Sequence, residues 1–558
     1  MFRISTSLTS TVLASLLLFT IIDHTYAAEE QLPIWQDYDE SSDLELAAQH
    51  SDESMRFQVL NSKVRDKNEL WQGFNQQLEN FSAELYQSLK PLILDRSVSQ
   101  IQRAVAEGRL SYEQLTSFYI YRIRDIESDN DKYLNAVISL NPDAINRARE
   151  LDALRASDQF DSANPMFGIP VLLKDNIGFS ELPTTAGAVA LQENYTENSF
   201  VAQRLLDNAA IILGKANLSE WAYFFCNDCP SGWSALGGQT LNPYGRFAHG
   251  TGGSSSGSGA ATAANYATVA VGSETSGSIL SPASSNSLVG LKPTTGTLSR
   301  TGVVPISATL DTAGPITRTV EEAVFLFNAM VGYDENDMAM PMLSDDLSLE
   351  YRLSDLNGIR AGVISDFEND SHYQQAVSLL SQNGVSVFAV DFSSPDFEDF
   401  LNLLGGEMVR DLALYLSQHA ASTVEITSID DLQQFNQQDL ESRAPYGQDL
   451  VDMMADLNLP SARLQEIGDQ LQSSARDFLE GIFSESNLQV LLSVNASNAG
   501  VAALANYPAL TVPMGYTEEG DPVGLTFIAP SFEEQVLVDI AAQFERLSNA
   551  RRIPAQYQ

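Results

Sequence analysis

Two knots of small residues, "GGSSSGSG" (Gly252–Gly259) and "SETSGSIL" (Ser273–Leu280), flank the apolar run "AATAANYATVAV" (Ala260–Val271). Glycine lets backbone approach a ligand closely, and serine offers a nucleophile or a hydrogen-bonding partner. A pair of flexible Gly/Ser linkers would have the same composition. The packed-looking run between the knots argues against linkers. "ATVAVG" (Ala267–Gly272) reads as a buried strand, and "GIPVLL" (Gly168–Leu173) and "AIILG" (Ala210–Gly214) read the same way.

Working outward, strand patterns alternate with helical ones. "DRSVSQIQRAVAEGRLSYEQLTSFYIYRIRDIE" carries two helices, the first stopped by Gly108 and the second opened by a Ser111/Gln114 capping box. "GIRAGVIS", "HYQQAVSLLSQNG" and "VSVFAVDF" form a strand–helix–strand unit. "YPALTVPMG" and "PVGLTFIA" are late strands before the closing helix "EEQVLVDIAAQFERL". This alternation predicts an α/β protein with helices covering a largely buried sheet. No internal repeat and no clean linker divides it. Residues 29–93 are polar and read as a helical N-terminal extension, with "WQGFNQQLENFSAELYQSLK" (Trp71–Lys90) as an amphipathic helix.

The 558 residues are 44% hydrophobic, normal for a folded chain, but carry a net charge of −42. That charge excludes nucleic acid as a partner, since phosphate recognition needs a basic footprint. At the N-terminus, Arg3, the apolar stretch Val12–Ile22 and "TYAA" (Thr25–Ala28) read as a secretory signal over residues 1–28. The apolar run falls short of the roughly 20 residues of a membrane span. The expectation is an exported protein, periplasmic or extracellular, with no membrane attachment once mature. The only cysteines, Cys226 and Cys229 in "CNDCPSG", are too few for a four-cysteine zinc site. They read as a short-range disulfide in an exported chain, with a redox pair as the alternative.

Few bases are available to activate a serine. His24 leaves with the signal, His50 lies in the polar extension, and His249, His372 and His419 remain. Most of the lysines have polar neighbours and read as solvated. Lys174 ends the apolar strand of "GIPVLLKDNI". Burial there would lower its pKa and make it a proton acceptor; pairing with Asp175 would instead keep it charged. "GSSSG" (Gly253–Gly257) also matches a nucleophile elbow centred on Ser255, but the preceding "NPYGRFAHGT" is turn-rich where that motif needs a strand. The S-x-x-K and phosphate-loop templates find no match.

Together "GIPVLLKDNI", "GGSSSGSGAATAAN", "GSETSGSILSPASSNSLVGLKPT", "SRTGVVPISATLDTAGPITRT", "NYPALTVPMG" and "PVGLTFI" resemble the amidase signature family of serine hydrolases, from about residue 95 to the end. "CNDCPSGWSALGGQTLNPY" is similar to the bacterial peptide amidases within it. The resemblance implies a single large domain over 94–558, with a central mixed, twisted sheet covered by helices on both faces. It implies a Ser–cis-Ser–Lys triad: Ser278 as nucleophile, Ser254, after a cis peptide bond, as bridge, and Lys174 as base. The backbone N–H groups of Thr275, Ser276, Gly277 and Ser278 would form the oxyanion hole. No metal or organic cofactor is implied. The partner would be a small-molecule or peptide amide, the protein a monomer or homodimer. Other members cleave aryl, fatty or aliphatic amides or serve as glutamine-amidase subunits of transamidation complexes, and a noncatalytic binding protein could share the scaffold. Leu280 stands where many members have arginine, Glu274 where aspartate is frequent, and both cysteines depart from the pattern.

Overall fold

The computed structural model describes Met1 and residues 32–157, 164–340 and 347–558. The chain divides into two units, Met1–Leu32 and Pro33–Gln558, and the second holds every strand and helix named below. The expected signal segment lies outside the described residues apart from Met1.

Among the described residues, thirteen strands run in chain order: β1 Val137–Leu140, β2 Pro170–Lys174, β3 Ile211–Ala216, β4 Trp233–Ser234, β5 Gly238–Gln239, β6 Val269–Glu274, β7 Val289–Lys292, β8 Thr312–Thr317, β9 Arg360–Ile364, β10 Ser386–Val390, β11 Val490–Val494, β12 Ala509–Tyr516 and β13 Pro522–Ile528. Eleven form one sheet in the order β1-β3-β2-β6-β8-β7-β12-β13-β11-β9-β10, and β4 pairs with β5 apart from it. The sheet is mixed. β2 lies parallel between β3 and β6, and β9 lies parallel between β10 and β11. The intervening pairs from β6 to β11 are antiparallel. Both faces of central strands are buried, as expected for a helix-covered sheet: β2, β3, β6, β8 and β11 have no exposed position.

Local signals in the sequence explain several boundaries. Capping boxes at Ser97/Gln100 and Ser111/Gln114 open the helices Val98–Ala106 and Tyr112–Glu127. β9, the helix Ser371–Gln382 and β10 form the expected parallel unit. The segment Trp71–Lys90 departs from the single amphipathic helix its pattern suggests. Ser82 caps a helix that spans only Ala83–Ile93, while Gln72–Phe74 makes a 3-10 turn. The tighter path buries Trp71, Phe74, Leu78 and Phe81. Residues 33–93 belong to the same compact unit as the sheet: Gln239 N–H donates to the Leu60 carbonyl (2.7 Å), and Ser62 Oγ to that of Ala235 (2.6 Å).

The helix Ser256–Ala263 is buried at every position, between β6, β2 and β3 on one side and Leu280–Ser285 on the other. This explains why "SGSGAATA" contains nothing larger than threonine. A Cβ at Gly257 would come within 2.4 Å of the Ala136 and Asn217 carbonyl oxygens. The small residues bring the helix start up against the sheet.

Candidate active site

Neighbouring strands place the chemistry. In the parallel register of β2 with β6, Leu173 faces Val271, so Lys174 arrives beside the end of β6. Its ammonium nitrogen has three polar contacts: Ser254 Oγ at 2.7 Å, Ser273 Oγ at 2.9 Å and the Ser273 carbonyl at 3.1 Å. Asn176 Nδ2 donates to the same Ser273 hydroxyl at 2.9 Å. Lys174 is wholly buried, and burial pulls its pKa down to about 7 against the opposing influence of Asp311 and Glu274.

Asp175 does not hold Lys174. It faces Lys215, with Nζ–Oδ1 at 3.4 Å, and both side chains are fully buried. It also accepts hydrogen bonds from Thr185 and the Gly187 N–H. Lys215 and Lys292 are buried rather than solvated, because each sits on a sheet strand whose neighbours cover it.

Ser254 reaches Lys174 from a tight loop. Its preceding bond, Gly253–Ser254, is cis, and its carbonyl accepts the Ser219 N–H at 3.0 Å. Gly252 has φ +65°, and a Cβ there would lie 2.7 Å from the Ser281 carbonyl group. Glycine therefore lets this loop touch Leu280–Ser285, the short helix after the turn that follows β6. Ser255 N–H closes the junction by donating to the Ser278 carbonyl at 3.2 Å.

Ser278 lies on that turn, partly exposed, and among the described residues its hydroxyl has no hydrogen-bonding partner. The Ser255 hydroxyl is instead buried and committed to β6. It donates to the Ser273 carbonyl at 3.0 Å and accepts the Ser273 N–H at 3.2 Å. Ser255 has an ordinary negative φ of −80°, and among the described residues no histidine or lysine bonds its hydroxyl.

Of the expected oxyanion donors, the Thr275, Ser276 and Ser278 amides have no acceptor among the described residues. Gly277 does not join them. Its N–H donates to Glu274 Oε1 at 2.7 Å, while Ile279 and Leu280 donate to Oε2 at 2.7 and 3.0 Å. The Glu274 carboxylate thus organises the turn and removes one amide from service. Asp311 steadies the other side, accepting from Thr275 Oγ1 at 2.5 Å and from the Ile306 and Ser307 amides. Sequence reading missed Ser273, Asn176, Glu274 and Asp311 as supports of the site. Asn176 had one available signal, its place two residues after Lys174, and Ser273 another, its place at the end of the strand that pairs with β2.

Leu280 is buried in an apolar cluster with Trp221, Phe225 and Trp233, where an arginine would be desolvated. The same cluster contains Cys226 and Cys229, which are joined by a disulfide. Within their loop Asn227 N–H donates to Asp449 Oδ1 at 3.0 Å, tying it to the helix Asp449–Asp456. Among the described residues, no cluster of His, Cys, Asp and Glu could hold a metal ion, and no helix is long and apolar enough to cross a membrane.

With this geometry in view, comparison with known proteins supplies the class. Residues 114–466 match the family model described as Amidase, and the chain belongs to that family of amide-hydrolysing enzymes. It is similar to a probable amidase of Arabidopsis thaliana, 35% identical over 480 residues, covering 83% of this chain and 92% of the relative. A crystal structure of an amidase family protein from Bacillus anthracis superposes with a TM-score of 0.84 at 33% identity, covering 89% of this chain and 99% of the other. The native peptide amidase from Stenotrophomonas maltophilia gives a TM-score of 0.77 at 36% identity, covering 83% of this chain and 98% of the other.

Proposed function

We propose that the protein hydrolyses the C-terminal carboxamide of peptides by a Ser278–Ser254–Lys174 mechanism, releasing ammonia. One observation carries the mechanism: the fully buried Lys174 amine faces three oxygens and, among the described residues, bonds no carboxylate. A neutral amine has two hydrogens, which suit the two oxygens of Ser273. Its lone pair then faces the Ser254 hydroxyl. Lys174 accepts the Ser254 proton while Ser254 accepts that of Ser278, and Ser278 Oγ attacks the amide carbonyl. Unpaired amides of the turn meet the oxyanion, where one donor is typically worth 10²–10³ in rate. The relay returns the proton to the leaving nitrogen, and the C–N bond breaks to give ammonia and an acyl-Ser278. Water, deprotonated through the same relay, then releases the carboxylate.

Similarity to the Stenotrophomonas maltophilia peptide amidase supports the substrate class. The net charge of −42 favours neutral or cationic peptides over acidic ones, an effect that salt weakens. In a kcat/KM panel, neutral and cationic peptide amides should be the best substrates and internal peptide bonds should survive. A tenfold preference for a fatty or aryl amide, about 1.4 kcal/mol of transition-state binding, would rule out the peptide reading.

The leader-like N-terminus supports export. Protein recovered from the periplasm or medium should give an N-terminal sequence beginning at Glu29. Recovery only from the cytoplasm, with residues 1–28 attached, would refute it.

A further inference from the structure

A cavity of about 380 Å³ lies beside the loop that carries Ser254, a size typical of small-ligand sites. Three parts of the chain wall it. Thr251 and Gly252 belong to the Ser254 loop, Thr517 and Asp521 to the turn between β12 and β13, and Met55 and Phe57 to the N-terminal extension.

Accessible surface links this cavity to the nucleophile. From Gly277 to Gly290 only Ser278, Ser281 and Ser285 are partly exposed, and every other residue is buried. Ser281 N–H donates to the Gly277 carbonyl at 2.7 Å, so helical winding begins at the nucleophile turn. Spacings of three and four then put the three serines on one face, and Ser285 lines the cavity. A second link runs through Asn495, which also lines it and whose neighbour Ala496 lies 3.6 Å from where a Gly277 Cβ would stand. At 1.5 Å per residue, Ser285 is about 10 Å beyond Ser278. An extended peptide advances about 3.3 Å per residue, so one held at Ser278 by its carboxamide enters the cavity about three residues upstream.

The lining has one sign of fixed charge. Asp521 is its only carboxylate, and it includes no lysine or arginine. His249 Nδ1 lies 2.6 Å from Asp521 Oδ1, yet 45% of the Asp521 side chain stays exposed. The Asp521 backbone is held in place: its carbonyl accepts the Thr517 N–H at 2.9 Å, and its N–H donates to Thr517 Oγ1 at 3.2 Å. Arg56, between Met55 and Phe57, is not part of the lining and meets Glu53 Oε1 at 2.8 Å. A carboxylate facing a cavity without a resident lysine or arginine can take a cation from the ligand.

Building on the peptide-amide reading above, we propose that this cavity is the subsite for the upstream part of the substrate, where Asp521 selects a cationic group carried two or three residues before the amidated one. The N-terminal extension, through Met55 and Phe57, supplies the apolar wall.

The test follows ammonia release by the full chain from acetylated tetrapeptide amides. It is run at about pH 7, where an ordinary imidazole is mostly neutral and a terminal amine mostly charged, and in about 0.15 M salt to screen distant charge. One lysine is walked through the peptide, with norleucine at the same position as the uncharged reference. The lysine-to-norleucine ratio of kcat/KM should be roughly two- to fivefold two or three residues before the amidated one, the worth of a half-exposed ion pair, and near one at the adjacent residue. A free-amine tripeptide amide cleaved faster than its acetylated form would assign the cation to the terminal ammonium as well. Asp521→Asn should bring every ratio to one. Glu518→Gln/Glu519→Gln, which removes two exposed charges from the same turn, should leave the preference in place. Ratios near one throughout in the parent, with no gain from a free amine, would overturn the subsite while leaving peptide-amide hydrolysis intact. So would a preference that survives in Asp521→Asn, or one lost equally in the Glu518/Glu519 variant, which is long-range attraction. A parent that hydrolyses aryl or fatty amides but no peptide amide would overturn the substrate reading and the subsite together.

Discussion

Ser278→Ala should yield a folded protein whose kcat on its best amide substrate falls by about 10⁴-fold or more. Losing the nucleophile of a relay that acts as a unit costs about as much as losing the whole relay. The loss should be confined to chemistry, because the Ser278 hydroxyl makes no hydrogen bond that supports the fold among the described residues. Ser255→Ala provides the contrast. It leaves the buried Ser273 N–H without its side-chain acceptor, a stability cost of about 1–3 kcal/mol, but kcat should remain within roughly tenfold of the parent. A fluorophosphonate should label the parent and Ser255→Ala, and not Ser278→Ala. The reverse pattern, with Ser255→Ala inactive and unlabelled, would show that the nucleophile is Ser255.

The second large effect concerns the base. Lys174→Met should lower kcat by about 10²–10⁴-fold, the usual worth of a positioned base. The parent enzyme's kcat/KM should have an acid limb near pH 7, where burial places Lys174. Only the neutral amine can take the Ser254 proton. Activity is therefore full above this pKa and falls tenfold for each pH unit below it. A lysine at its ordinary value would put the limb beyond pH 10. A profile on a neutral peptide amide, where the substrate does not titrate, separates these cases. A flat profile from pH 5 to 9, unaltered in Lys174→Met, would remove lysine from the mechanism.

The parts of the site that the sequence exposed share a physical origin. Lys174 is recognisable because an ammonium ending an apolar strand must be either neutral or paired, and the small-residue knots because close backbone approach excludes side chains. The strands around them were readable from apolar runs with turn residues at each end. What stayed hidden depends on partners remote in sequence. Nothing near Lys215 announces that β2 will bring Asp175 to it. Nothing at Glu274 shows that its carboxylate will turn back on the amides of Gly277, Ile279 and Leu280, since that requires knowing the turn's shape. The broken helix at Trp71–Lys90 has the same cause. Its periodicity is genuine, but burying Trp71, Phe74, Leu78 and Phe81 against the body favours tighter turns than a continuous helix allows.

The strand order also governs how the molecule can be made. The six strands at one side, β1 to β3 and β6 to β8, are all synthesised by Thr317, and Lys174, Ser254 and Ser278 fall within that stretch. The three at the other side, β9, β10 and β11, join them only through β12 and β13, which the ribosome delivers last. A polypeptide that ends before β12 and β13 lacks the neighbour of β7 on one half of the sheet and that of β11 on the other. Exposed edges of this kind invite pairing with other chains. The last two strands are thus the only link between the halves in the finished sheet, and a chain terminated before β12 leaves the edges of β7 and β11 unpaired.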